Sequence, residues 1–361
     1  MATDFWLRTD TRQPHAFFTA AELNDVRAFY ARLPDANPTP LRRLRGLAAE
    51  LGVGELLIKD ESARFGLPAF KIVGARYAVG ALVARRGRTL RHLACATTGN
   101  HGRAVARAAA DLGLESHVYV PFDTSPARID ALRSEGAHVV ITSAGYDDTV
   151  RLMADDAEKS GWTIVSDTAW QGYEEIPRWI MAGYTRILDE AATEWGAAPP
   201  DVVIAQVGVG SLAGALAGWL VATFGERRPL LVTVEPSGSA CLLESLRAGR
   251  LTPLASCAPT AMVGLRCAEV SPVAWPALEG VVYAAIAIGD GLATEAQDRL
   301  AHPVAGDAVI QAGPSGAAGV AGLMALTRKT GLAELRRPLN LSRATRVLAI
   351  VTEGPTELRG G

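Results

Sequence analysis

His92-Leu-Ala-Cys-Ala-Thr-Thr-Gly-Asn-His-Gly-Arg-Ala-Val-Ala-Arg-Ala-Ala-Ala-Asp-Leu112 passes from a short apolar run, through a glycine-bearing turn, into an alanine-rich segment. A run of this length with no polar alternation reads as a strand covered on both faces, and the segment after it as a helix over 101–112. The same alternation recurs along the chain. Strands are predicted at 55–59, 92–96, 117–120, 138–142, 163–165, 202–206, 230–235, 281–288 and 346–351. Helices are predicted at 73–85, 101–112, 126–134, 147–160, 178–194, 212–224 and 315–327. Strands that alternate with helices and are apolar on both faces imply a mostly parallel, doubly wound α/β sheet. The first 40 residues look peripheral, with one helix announced by the capping box Thr19-Ala-Ala-Glu22 and stopped near Pro34.

Composition bounds the rest. The chain has 361 residues, 49% of them hydrophobic and 20% charged, which excludes disorder and allows two domains or one large unit. A net charge of -2 gives no electrostatic case for nucleic acid or an anionic membrane. The N-terminus lacks a basic segment followed by an apolar run, so no signal peptide is expected, and no apolar stretch approaches the roughly 20 residues of a membrane span. Cys95, Cys241, Cys257 and Cys267 show no metal-ligand spacing, so buried thiols in a cytoplasmic protein are expected and no metal. Only four of the 36 basic residues are lysine (Lys59, Lys71, Lys159 and Lys329), so a lysine in apolar surroundings needs a reason.

Ligands on doubly wound sheets bind at the carboxyl ends of strands, where the loops open the next helix. Three such loops carry unusual chemistry. In Ser62-Ala-Arg-Phe-Gly-Leu-Pro-Ala-Phe-Lys71, the lysine stands at a helix start among apolar neighbours. Desolvation there lowers an amine's pKa and frees it for imine formation; the plainer reading is a lysine snorkelling from its helix. In Ala96-Thr-Thr-Gly-Asn-His-Gly102, Gly99 permits a tight turn, and Thr97 and Thr98 offer hydroxyl and backbone donors for a substrate carboxylate. Asn100 is suited to a phenolic oxygen, while His101 reads more readily as a satisfied surface histidine. In Gln206-Val-Gly-Val-Gly-Ser-Leu-Ala-Gly214, the backbone at Gly208, Val209 and Gly210 and the Ser211 hydroxyl converge at a helix N-terminus, a setting for one phosphate monoester. Neither a Gly-x-Gly-x-x-Gly nor a Walker A pattern is present, and Glu235 is the one acid near the position that dinucleotide binding would need.

Together and in this order the loops resemble those of fold-type II, tryptophan-synthase-β-like pyridoxal phosphate (PLP) enzymes, and within them the diaminopropionate ammonia-lyase family. The resemblance spans roughly residues 40 to 357. It rests on Arg64-Phe-Gly-Leu-Pro-Ala-Phe-Lys71, Gly99-Asn-His-Gly-Arg103, Tyr146-Asp-Asp-Thr-Val-Arg-Leu152 and Asp167-Thr-Ala-Trp-Gln-Gly-Tyr173. Ile176-Pro-Arg-Trp-Ile-Met-Ala-Gly-Tyr184, Gly208-Val-Gly-Ser211, Gly264-Leu-Arg-Cys267 and Thr352-Glu-Gly354 continue it. It implies that Lys71 forms the Schiff base with PLP, that Asn100 contacts the pyridoxal hydroxyl, and that Gly208, Val209, Gly210 and Ser211 hold the phosphate. Thr352 would lie near the pyridine nitrogen. Asp167 would hold the β-ammonium of the substrate, the plainer reading of that residue being a cap before Thr168-Ala169-Trp170.

The implied reaction is α,β-elimination of 2,3-diaminopropionate, or a close analogue, to pyruvate and ammonia. The family typically reads Thr-Asp-Gly-Asn-His-Gly; Thr98 replaces that aspartate, which is implicated with the D-isomer, so the L-isomer is expected. In Gly313-Pro-Ser-Gly316, Pro314 stands where glutamate is usual. Both changes remove negative charge, and serine or threonine dehydration, β-replacement, or a non-catalytic PLP-binding role stay open. The resemblance further implies a large domain (1–87 and 185–361), a small inserted domain (88–184), a cofactor cleft between them, and a homodimer.

Overall fold

The computed structural model describes residues 4–10, 14–97, 99–303 and 306–355. Two sheets organise the chain. The larger has seven strands: β1 (Asp4–Leu7), β2 (Leu41–Arg43), β3 (Glu55–Asp60), β8 (Val202–Gln206), β9 (Leu230–Pro236), β10 (Val282–Ile288) and β11 (Arg346–Val351), in the order β1-β10-β9-β8-β11-β3-β2. Its five central strands are parallel, and β1 and β2 close the two edges antiparallel. The smaller sheet is all parallel, with β4 (His92–Ala96), β5 (Glu115–Val120), β6 (Ala137–Ile141) and β7 (Thr163–Ile164) in the order β6-β5-β4-β7.

The two-sided apolar strands do what their pattern requires. Val203, Ala205, Leu231, Leu348 and Ile350 face one core. Their alternates Val202, Ile204, Val232, Val347 and Ala349 face another on the opposite side of the sheet. The helix Pro314–Arg328 is buried along Ser315–Leu326, where a run of small residues lets it lie close on the sheet. A side chain at Gly322 would run into Val234.

The predicted elements keep their types, but the helices Arg45–Leu51, Cys241–Ala248 and Asp290–Ala301 and two edge strands were not predicted. β1 and β2 escaped prediction because three or four residues carry no period; their pairing partners β10 and β3 make them strands. The helix expected over 178–194 is two, Glu175–Tyr184 and Arg186–Glu194. At the joint, the Thr185 hydroxyl donates to the Ala182 carbonyl at 2.6 Å, and the Thr185 amide turns to the same oxygen, so the helix tightens and restarts. The capping box at Thr19 and Glu22 is formed as expected.

A buried ionic knot fixes the approach to the first of the chemical loops. Glu190 is 3% exposed and accepts both arms of Arg64 at 2.7 and 2.8 Å, Lys59 Nζ at 2.7 Å and Arg186 Nε at 2.7 Å. Burial would raise its carboxyl, but the guanidinium of Arg64 and then Lys59 hold it below the ordinary glutamate value. Such a group stabilises the fold fully above the ordinary glutamate range and loses that contribution as pH falls through its lowered value. Glu190→Ala strands three cations and should cost about 3–5 kcal/mol, whereas Asp148→Ala, which removes the exposed pair with Arg151, should cost less than about 1 kcal/mol. Urea unfolding followed by circular dichroism measures both; equal losses would mean the knot does not carry the loop.

Candidate active site

The cleft is built where the loop after β3, the loop after β4, the segment after β7, the turn after β8 and the end of β11 converge. Each follows the carboxyl end of a strand. The first is seated by main chain: Phe70 donates its amide to Thr352 O at 3.0 Å, Gly354 donates to Pro68 O at 2.9 Å, and Ala69 bridges Glu353. Lys71 then opens the helix Lys71–Arg86, whose inner residues Ile72 and Val73 are fully buried.

Lys71 Nζ hydrogen-bonds Asp167 Oδ2, which joins the large sheet's loop to the segment that leaves the small sheet. The amine also lies 5.3 Å from the centroid of Phe70. Here one expectation is corrected. Burial does pull the lysine's pKa down, but the Asp167 carboxylate outweighs it and holds the amine above its ordinary value. Burial likewise raises Asp167, while Lys71 and then His101 hold it below the ordinary carboxylate range. Asp167 is therefore an ionised partner of Lys71 and not a helix cap; the next helix starts only at Glu175.

His101 corrects a second reading. It is 7% exposed, not a surface group. Its Nε2 meets the Val165 carbonyl at 2.9 Å, an oxygen that only accepts, so Nε2 carries the proton. Nδ1 is left without a hydrogen-bond partner, 3.9 Å from Asp167 Oδ2.

Thr97 and Gly99 line the same loop, with Gly99 N donating to Thr97 Oγ1 at 3.2 Å; Thr98 lies outside the described residues. Gly99 has an extended φ of -147° and open space around it, so no tight turn demands glycine there. Gly102 is the constrained one: a side chain would meet Thr97, Leu132 and Val118, where the helix packs on β5.

Asn100 directs its amide to Glu353 Oε2 at 2.7 Å, which takes up part of its donor capacity. Glu353, which sequence reading left without a role, is enclosed by glycines: a side chain at Gly313 or Gly316 would strike it. Burial raises its pKa against the opposing pull of Ser315, Lys71, Arg128 and Asn100. Thr352 is 3% exposed and its hydroxyl accepts from Gln206 Nε2 at 2.8 Å. Gln206's amide is oriented by the carbonyls of Ser315, Gly316 and Ile350 at 3.0–3.2 Å, so the Thr352 hydroxyl keeps its proton to donate.

The turn after β8 has the shape of an anion cradle. Gly210 sits at φ +91°, and the helix Ser211–Phe224 directs its unpaired first-turn amides at the turn. Beside Gly208, a side chain would meet Gly264 O at 3.1 Å and Cys267 Sγ at 3.2 Å. The Val209 carbonyl is held by Ser271 N at 2.8 Å. Ser211 points its hydroxyl at Asp167 O, 2.8 Å away, tying the turn to the acid. Glu235 is no dinucleotide acid: it is buried and accepts from Leu242 N and Leu243 N at 2.8 Å, capping the helix Cys241–Ala248.

Tyr184, also missed from sequence, is buried 4.8 Å from Phe70 by ring centroids, and its hydroxyl has no partner. A primary amine, an anion cradle, a hydroxyl with a free proton, and two orphaned polar atoms (His101 Nδ1 and Tyr184 Oη) thus share one cleft. This donor set fits pyridoxal phosphate: the amine for its carbonyl, the cradle for its phosphate, and a hydroxyl for its ring nitrogen.

The comparisons agree. The family described as "Pyridoxal-phosphate dependent enzyme" matches residues 33–353. The chain is similar to diaminopropionate ammonia-lyase of Escherichia coli (strain K12), at 36% identity over 95% of this chain and 90% of the relative. It is 38% identical to the Salmonella typhimurium diaminopropionate ammonia-lyase over 92% and 89%. The crystal structure of the Escherichia coli enzyme in complex with an aminoacrylate-PLP azomethine reaction intermediate superposes with a TM-score of 0.90 at 35% identity, covering 98% of this chain and 94% of that one.

If Asp167 sets the charge of Lys71, replacing it with a neutral amide releases the amine toward lower pKa. The rate at which cofactor-free protein takes up PLP, measured against pH by visible absorbance, should reach half its maximum at lower pH in Asp167→Asn than in the parent. An unmoved midpoint would mean that another group governs the amine.

Proposed function

The chain belongs to the diaminopropionate ammonia-lyase family of pyridoxal-phosphate dependent enzymes, and we propose that it eliminates ammonia from L-2,3-diaminopropionate or a close analogue, leaving pyruvate and ammonia after hydrolysis. The observation that carries this reading is the largely enclosed Asp167 carboxylate, 17% exposed, facing Lys71 Nζ in the cleft. PLP, when bound, supplies the electron sink that makes an amino acid's Cα proton acidic enough to remove.

Lys71 anchors the cofactor and, once its amine is free, takes that proton. Asp167 binds the β-ammonium of the substrate and keeps it protonated, so that the carbon–nitrogen electron pair leaves with nitrogen as neutral ammonia. Thr97, Thr98 and Gly99 receive the substrate carboxylate at the start of the helix Asn100–Ala110. The amides of Gly208, Val209, Gly210 and Ser211 hold the phosphate, with the helix dipole behind them. Thr352 donates its free hydroxyl proton to the ring nitrogen; a hydroxyl, unlike a carboxylate, leaves that nitrogen neutral. Asn100 reaches the ring hydroxyl with the amide hydrogen not used by Glu353. A hydroxyl at Thr98 cannot act as a base at neutral pH, which supports preference for the L-isomer.

The reading extends to a homodimeric, cytoplasmic enzyme. The family resemblance supports the first, and four free cysteines support a reducing compartment. No helix among the described residues is long and apolar enough to cross a membrane. The cofactor would sit between a large domain, 1–87 with 185–361, and the small domain, 88–184, each holding one sheet apart from their shared loops.

Two measurements test the reading. Lys71→Ala should lose the visible absorbance of lysine-bound cofactor and at least about a hundredfold in turnover; a covalent chromophore surviving in that variant refutes the anchor. Release of 2-oxo acid from L- and D-diaminopropionate, L-serine and L-threonine should be fastest with L-diaminopropionate. Faster turnover of L-serine would make the protein a dehydratase, and no 2-oxo acid from any of the four would move it to β-replacement or to a non-catalytic role.

A further inference from the structure

The small sheet carries a second concentration of chemistry, at the end of its strands away from the cleft. Three of the chain's six histidines, His92, His117 and His138, come from three adjacent strands, β4, β5 and β6. Register brings them together: His92 is opposite Glu115, His117 is opposite His138, and Glu115 and His117 share a face because they are two apart on β5. His92 and Glu115 are the first residues of their strands. The active-site loop leaves the far end of β4, so the two sites are separated by the length of the strand.

The distances are those of a coordination shell. His117 Nε2 lies 3.3 Å from His92 Nδ1, His92 Nδ1 lies 3.6 Å from Glu115 Oε2, and His138 Nε2 lies 3.5 Å from Glu115 Oε2. One ligand atom each from His92, Glu115 and His117 falls within 4.8 Å of the others. Four ligands arranged tetrahedrally at about 2.0–2.1 Å from zinc are separated from one another by about 3.3–3.4 Å. Two ring nitrogens 3.3 Å apart share a single proton, which a cation would displace. His117 is held in place by Trp162, stacked on it with centroids 3.7 Å apart and planes 3° from parallel. The His138 ring lies 5.3 Å from that of His117 by centroids, with planes 22° from parallel. The side chains of His92, Glu115 and His138 are 37%, 57% and 61% exposed, so a solvated ion has access.

We propose that His92, Glu115 and His117, with water completing the shell, form a binding site for one divalent transition-metal ion of the zinc class that clamps β4 and β5 together. Imidazole and carboxylate are the donor set zinc accepts, and an all-oxygen site for calcium or magnesium is not what these residues offer. Cysteine spacing does not reveal the site because its ligands are far apart in sequence and meet only through strand register.

The test uses chelator-treated holoenzyme with its PLP in place, titrated with zinc sulfate by calorimetry and followed by thermal unfolding. The expected result is one zinc per chain and an unfolding temperature that rises with zinc concentration. His92→Ala and His117→Ala should each weaken zinc about a hundredfold or more, with metal-free elimination activity unchanged. Glu115→Gln, an isosteric change at an exposed side chain, guards against misfolding and should also weaken zinc. Zinc bound no more tightly by the parent than by a folded His92→Ala/His117→Ala double variant would overturn the proposal. That outcome covers absence of binding as well as capture by Cys257, Cys267 or the cofactor.

Discussion

A carboxylate buried among three cations governs where the reactive lysine stands. Glu190 sits on the helix Arg186–Glu194, while Lys59 is on β3 and Arg64 is on the loop that β3 feeds. Removing two charges from water costs several kcal/mol per ion, and attraction offsets that only when the geometry satisfies every donor. Glu190 meets most of that demand through a bidentate contact with Arg64, with Lys59 also bonded to Thr39 O at 2.6 Å, while Arg64 Nε keeps only an ion pair with Glu61 Oε2 at 3.6 Å. The knot therefore specifies one path for residues 60–70. Seven residues beyond Arg64, Lys71 can only open its helix where the Thr352–Gly354 segment receives it. A rare lysine stands at each end of this path, Lys59 to fix it and Lys71 to face Asp167.

The cleft itself is organised by close approach. Gly313, Gly316 and Gly264 let the backbone close around Glu353, and Gly102 lets the helix Asn100–Ala110 settle on β5 so that Asn100 reaches that acid. Burial raises the pKa of Glu353, whereas Lys71 holds Asp167 below the ordinary carboxylate range, so two acids in one cleft are shifted in opposite directions by their surroundings.

Most of this frame was legible in the sequence because its signals are local. Runs such as Val202–Gln206 announce buried strands, and glycines at strand ends announce loops that bind. What escaped needed partners distant in the chain. His101 looks like a surface residue beside a turn; only packing against Val165 shows it buried and aimed at Asp167. Glu353 is one residue from a motif position, yet its role comes from four loops closing over it. Lys71 was correctly placed in apolar surroundings, but its protonation depended on Asp167, 96 residues away. Desolvation alone predicted the wrong direction.

That same pairing argues for the substrate. To take a proton from Cα, Lys71 must be a neutral amine, and a neutral amine no longer compensates Asp167. The carboxylate is largely enclosed, and leaving it unpaired costs several kcal/mol. His101 Nδ1, 3.9 Å from Asp167 Oδ2, is beyond hydrogen-bond reach of the carboxylate. A substrate whose β-carbon carries an ammonium brings the missing charge to the right side of Lys71 at the moment the lysine gives up its own. Serine or threonine would bring a hydroxyl, which donates one hydrogen bond but no charge. In the proposed reaction Asp167 would thus favour a diamine, because a largely enclosed carboxylate is most stable when it faces a cation, whichever molecule supplies it.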